Sequence, residues 1–141
     1  MHGFDLTVQH LEWGAVSMRL TGALDIAYAY RFDAAIRRAE RDVDCLVLDL
    51  RELDFVDSAG ISRILAARRR ARRAGRRLVL VRGSTAVQRF LQLAALTEHF
   101  EFVSRPEDAR SEDGDGPGPP LGARRARVAT LPASRRSSSV G

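Results

Sequence analysis

The chain has 141 residues, 45% of them hydrophobic and 29% charged, which suits one soluble globular domain followed by a tail. All 23 basic residues are arginine, against 18 acids, and lysine is absent, so a lysine-dependent phosphate loop and Schiff-base chemistry are excluded. The lone Cys45 cannot form an internal disulfide, and His2, His10 and His99 lack metal-ligand spacing, so neither a metal nor a cofactor is expected.

Phe4, Leu6 and Val8 alternate with polar residues, and Val16, Met18 and Leu20 do the same beyond Glu12-Trp13-Gly14. A period of two interrupted by a short turn predicts a β-hairpin of half-buried strands. After Asp25 the period lengthens: Ala29, Phe32, Ile36 and Ala39 predict an amphipathic helix over about residues 27–41. Cys45-Leu46-Val47-Leu48-Asp49-Leu50 then reads as a strand covered on both faces. Ser58 to Ala74 offers Ile61, Ile64, Leu65, Ala67 and Ala71 to a core and stops at Gly75, a favourable residue just past a helix end. Leu78–Val81 predicts another buried strand. Ser84 opens a third helix carrying Val87, Phe90, Leu91 and Ala94, and Phe100–Val103 predicts a last strand.

The order β-β-α-β-α-β-α-β implies parallel crossovers on a mixed sheet, an α/β domain over residues 1–104. Residues 105–141 hold Gly114-Asp115-Gly116-Pro117-Gly118-Pro119-Pro120 and Arg135-Arg136-Ser137-Ser138, and are expected to be a disordered tail. Within it, Pro106–Ala109 offers one helical turn. With no secretory signal and no membrane-length apolar run, a cytoplasmic protein without a membrane partner is expected.

The most informative stretch is Asp54-Phe55-Val56-Asp57-Ser58-Ala59-Gly60-Ile61, where a buried strand that ends near Leu50 is followed by a helix beginning at about Ser58. Asp57 or Ser58 caps that helix, and Phe55 and Val56 serve as a hydrophobic staple against Ile61 or Ile64. Taken with Gly22-Ala23-Leu24-Asp25, Leu48-Asp49-Leu50 and the closing Leu93-Ala94-Ala95-Leu96 with Phe100, the chain resembles the STAS domain of bacterial anti-sigma-factor antagonists over about residues 4–103.

That resemblance implies a mixed four- to five-stranded sheet packed on about three helices, without catalytic machinery. It implies that Ser58 is phosphorylated by an anti-sigma factor that is also a serine kinase, and that a serine phosphatase reverses this. Asp57 and Gly60 would shape the loop, Asp25 would lie beside it, and Gly22 and Ala59 would complete the partner-binding set. Unmodified protein would capture the anti-sigma factor and free its sigma factor; the phosphorylated form would release it. Ala59 stands where many members carry a second hydroxyl, which leaves Ser58 as the acceptor. The usual C-terminal helix is reduced to a stub.

Other readings are weaker. Catalysis by Ser58 with Asp57 and His99 would need a nucleophile elbow, and no G-x-S-x-G occurs. Residues 63–103 hold 10 arginines and 2 acids, a balance of +8, whereas residues 1–62 hold 6 arginines and 11 acids, a balance of −5. Arg69, Arg72, Arg73 and Arg76 recur at helical spacing, but no interleaved aromatics accompany them, so direct nucleic-acid binding is not expected. A further alternative keeps the fold and makes the chain a scaffold subunit of a stress-sensing or lipid-transport complex, with Ser58 never phosphorylated. Tyr28 and Tyr30 begin the first helix, where partner contact and core packing are both open to them.

Overall fold

The computed structural model describes residues 3–110; the Gly/Pro stretch and the Arg135-Arg136-Ser137-Ser138 run lie outside them. Strands β1 (Phe4–Leu11) and β2 (Ala15–Leu24) form the hairpin, turning at Gly14, whose φ of 79° suits glycine. Helix α1 (Ala29–Ala39), strand β3 (Cys45–Val56), helix α2 (Ser58–Ala74), strand β4 (Arg77–Val81), helix α3 (Thr85–Leu93) and strand β5 (Glu101–Val103) follow. The sheet order is β1-β2-β3-β4-β5, with β1 antiparallel to β2 and every other pairing parallel. This is the expected α/β mixed sheet with three helices.

The main core lies between the sheet and the helices. Val16, Met18 and Leu20 of β2 meet Leu46, Leu48 and Leu50 of β3 beneath Phe32 and Ile36 of α1, Ile61 and Ile64 of α2, and Val87 and Leu91 of α3. Phe4 anchors β1 there, edge-on to Phe32 at 6.4 Å between ring centroids and 5.6 Å from Tyr28. Tyr28 therefore packs inward, while Tyr30 is exposed.

The opposite face carries a smaller cluster of Ala15, Cys45, Val47, Val79 and Val81, flanked by Leu11, Trp13 and Val103. The chain stays packed past Val103: Pro106–Ala109 makes a 3-10 turn, Ala109 is buried in that cluster, and its carbonyl accepts from Arg77. Burial pushes the Cys45 thiol up to about 12.

One buried acid sits on this second face. Asp49 is almost fully enclosed, and Arg51 grips both of its oxygens at 3.0 and 2.8 Å. Burial alone would raise its carboxyl, but the hydrogen bonds from the Arg51 side chain and backbone outweigh that and hold it below the usual range. A carboxylate depressed in the fold stabilises above its unfolded pKa of about 3.9, and that contribution disappears as pH falls through the folded value. Urea midpoints followed from neutral pH to below about pH 4 should therefore fall less steeply for Asp49→Asn than for wild type. Equal slopes would remove Asp49 from the acid response.

Candidate functional site

The site forms where two loops meet at the carboxyl ends of parallel strands β2 and β3, the usual place for function in such sheets. The first loop carries Asp25 to Ala27 between β2 and α1. The second is the junction between β3 and α2 at Asp57.

Strand β3 reaches this junction differently from the sequence expectation. It runs to Val56 and does not stop near Leu50, because it continues to pair with β2 through Leu24↔Val56. Its register slips between Arg19 and Thr21 and again between Gly22 and Ala23, so Leu50, Leu53 and Val56 point inward at intervals of three. Val56 consequently joins Ile61 in the core as a helix-entry staple. Phe55 does not: the irregular strand turns it outward, 52% exposed, which corrects its expected role.

Asp57, not Ser58, caps α2. Its Oδ1 accepts from the backbone N–H groups of Ala59 at 3.0 Å and Gly60 at 3.1 Å. Its Oδ2 accepts from Ile26 N–H at 3.3 Å, and its own N–H donates to Leu24 carbonyl at 3.2 Å. One side chain thus binds the helix start to the neighbouring loop. Replacing Asp57 with alanine should cost about 1–2 kcal/mol in thermal unfolding, whereas Asp57→Asn should recover the cap through its amide oxygen but not the bond from Ile26 N–H, which its NH2 cannot accept. Amide exchange at Ile26, Ala59 and Gly60 should accelerate together in the alanine variant. Faster exchange at Ala59 and Gly60 alone would mean that the bond to Ile26 contributes nothing.

Asp25 makes its own turn, its Oδ1 accepting from Ala27 N–H at 3.0 Å and its carbonyl from Tyr28 N–H. Gly22 has φ +92°, and a Cβ there would lie 2.0 Å from the Gly3 carbonyl oxygen, so it lets the start of β1 approach. Gly60 is buried against Leu24. Ala59 is half-buried. Ser58, the first residue of α2, is exposed with its hydroxyl at the positive end of a 17-residue helix.

The structure therefore gathers Asp25, Asp57, Ser58, Ala59 and Gly60 around one rim, with Gly22 behind it at the hairpin edge. Sequence reasoning missed two neighbours there. Ile26, 78% exposed in the β2–α1 loop, and Phe55, exposed near the end of β3, are large apolar side chains on the two segments that lead into this rim. Ile26 stands next to the singled-out Asp25, and an exposed aliphatic there was the available signal. Phe55 was hidden because its exposure depends on the two register slips.

The arginine stripe survives in three of its four members, and the arginines beside it are engaged elsewhere. Arg68 donates to the His99 carbonyl and lies 5.9 Å from the Phe100 ring centroid, while Arg70 binds Glu40 at 2.7 and 3.1 Å. Arg76 lies beyond the end of α2, with its Nε and Nη1 buried. Arg69, Arg72 and Arg73 remain exposed on α2. His99 sits in the 3-10 turn after α3, outside the two loops that carry the serine rim. Among the described residues no group of His, Cys, Asp or Glu could hold a metal, and no helix is long and apolar enough to cross a membrane.

A family model described as the STAS domain matches residues 9–109. Among solved structures, an anti-sigma factor antagonist from Mycobacterium paratuberculosis superposes with a TM-score of 0.68 at 21% identity, over 75% of this chain and 90% of that one. The Bacillus cell fate determinant SpoIIAA in its phosphorylated form gives 0.59 at 22%, over 74% and 96%. A sulfate transporter family protein from Wolinella succinogenes gives 0.55 at 20%, over 72% and 85%. The shared feature is the fold, which serves proteins of different description.

Proposed function

The chain belongs to the STAS domain family, and we propose that within it this protein is a non-enzymatic anti-sigma-factor antagonist switched at Ser58. The carrying observation is an exposed serine at the start of a helix whose cap is already taken. Asp57 occupies the N–H groups of Ala59 and Gly60, which would otherwise cradle a phosphate. A phosphoryl group on Ser58, bringing roughly −1.5 to −2 charges, has little backbone left to bind within the domain. Its charge stays on the surface beside Asp25 and Asp57, where a docked partner would meet it. The fold persists while binding is lost.

In this reading the unmodified rim, with Ile26 and Phe55 as apolar contacts, receives the anti-sigma factor. That partner, acting as a serine kinase, moves the γ-phosphoryl group of ATP to Ser58 Oγ, and a serine phosphatase restores the hydroxyl. The likeness to SpoIIAA solved in a phosphorylated form supports it.

The test is capture of binding proteins from source-organism lysate by wild type, Ser58→Ala and Ser58→Asp, with mass spectrometry of Ser58 after incubation with ATP. Binding of an ATPase-type anti-sigma factor to the first two only, with phosphate on Ser58, is expected. If all three retain one large assembly and Ser58 stays unmodified, the scaffold reading replaces this one.

A further inference from the structure

The outer edge of β1 is unprotected. Its register with β2 runs unbroken from Phe4↔Gly22 to Leu11↔Ala15, without a bulge, proline or lysine. Those are the devices that normally blunt an edge strand. The other edge, β5, is only three residues long.

The direction of the free groups follows from one bond. Ala23 N–H donates to the Gly3 carbonyl, so Gly3 and Ala23 form a hydrogen-bonded pair. Alternation along an antiparallel ladder then turns Asp5, Thr7 and Gln9 toward β2 and leaves the N–H and C=O of Phe4, Leu6, Val8 and His10 pointing outward. Arg31 confirms the phase by donating to the Phe4 carbonyl at 2.9 Å, and its other nitrogen holds Asp5. From Leu6 to His10 the outward groups have no such cover among the described residues. Val8 is 44% exposed there.

We propose that this edge pairs with β1 of a second copy of the chain, antiparallel about a two-fold axis at Thr7. The strand is self-complementary in that register. Leu6 faces Val8 of the second copy, and Val8 faces its Leu6, on the helix-bearing side. On the other side Thr7 faces Thr7, and Asp5 faces Gln9, which can donate to the carboxylate. The Leu6–Val8 pairs use the outward backbone groups and close four hydrogen bonds. Moving the axis to Val8 instead sets Leu6 against His10 and Asp5 against Leu11. No like charges meet in the Thr7 register, and cross-strand apolar and Thr–Thr pairs are favourable. The product is a continuous ten-stranded sheet with both helical layers on one side. The pairing is independent of whether Ser58 is phosphorylated.

The test uses the full chain. Sedimentation velocity should show a monomer–dimer equilibrium for wild type and at least a tenfold weaker one for Val8→Lys, with the same circular dichroism and melting curve. Oxidation should cross-link Thr7→Cys rapidly, since its twin lies directly opposite, and Gln9→Cys slowly. Cys45 will not confuse the result because it is buried. A wild type that stays monomeric at every concentration, a Val8→Lys protein that dimerises unchanged, or equal cross-linking at both positions would each overturn the proposal.

Discussion

A Ser58→Asp chain should bind the anti-sigma factor at least a hundredfold more weakly than wild type, while Ser58→Ala binds within a few-fold. A hundredfold is about 2.7 kcal/mol. Placing a like charge across an interface costs on this scale or more. The carboxylate would project from an exposed position beside Asp25 and Asp57, so its new charge would be felt by the partner and not absorbed by the domain. The melting temperature should barely move, since the Ser58 hydroxyl is at the surface and the cap is Asp57. Salt separates charge from shape: screening should recover part of the lost affinity between about 0.05 and 0.5 M if repulsion is the cause. Titration calorimetry at two ionic strengths measures it. A Ser58→Asp protein that binds as tightly as wild type would end the switch reading.

Gly60→Ala should be strongly destabilising, because it forces a methyl into the packed start of α2. A Cβ on Gly60 would lie 2.7 Å from both the carbonyl oxygen and the Cγ of Leu24, and 3.1 Å from its Cδ2. Leu24 cannot easily retreat. Its side chain is fully buried, and its carbonyl accepts the Asp57 N–H. Alanine gains roughly 0.5–1 kcal/mol of helix propensity over glycine, but overpacking a fixed core costs about 1–3 kcal/mol, and the backbone contact puts this site at the upper end. The expected net loss is about 2 kcal/mol, or roughly 10 °C in Tm for a domain of this size. Because β2 and α2 must separate, the Ile26–Asp57 bond should loosen too, and affinity for the partner should fall along with stability. A variant as stable as wild type would show that the helix start can slide outward without loss.

Those two outcomes bear on different halves of what the residues disclosed. The elements with a clean period were legible: the alternation that puts Phe4 and Leu6 on one face of β1, and the three- and four-residue spacing of Phe32, Ile36, Ile61 and Ile64, correspond to what packs in the core, while Val8 on that same face stays exposed. Ser84 was legible as a cap, and its side chain accepts from Val87 N–H. The end of β3 was not. Two register slips replace a period of two with a period of three, and Leu50, Leu53 and Val56 then read as neither helix nor strand. The choice between Asp57 and Ser58 as cap was also closed to sequence, since both residue types cap well and only the backbone decides which one precedes the first turn. The arginine stripe was legible for Arg69, Arg72 and Arg73, which stay exposed on α2, and failed at Arg76, which lies beyond the helix end with its Nε and Nη1 buried. Spacing puts side chains on a face, but the elements opposite decide which are spent: Glu40 of α1's end takes Arg70, and the turn before β5 takes Arg68.

The bond between Asp57 and Ile26 also sets the tempo of recognition. A loop that is already tied in place has no ordering step to complete during an encounter, so complex formation should be governed by diffusion and orientation, with a single exponential and no lag. Release would then be timed by how quickly the partner dissociates once Ser58 carries charge, without waiting for any rearrangement of this chain. On the proposed switch, a rigid rim would make the lifetime of the complex a property of one atom's chemistry, and would hand control of the delay to the enzymes that add and remove the phosphoryl group.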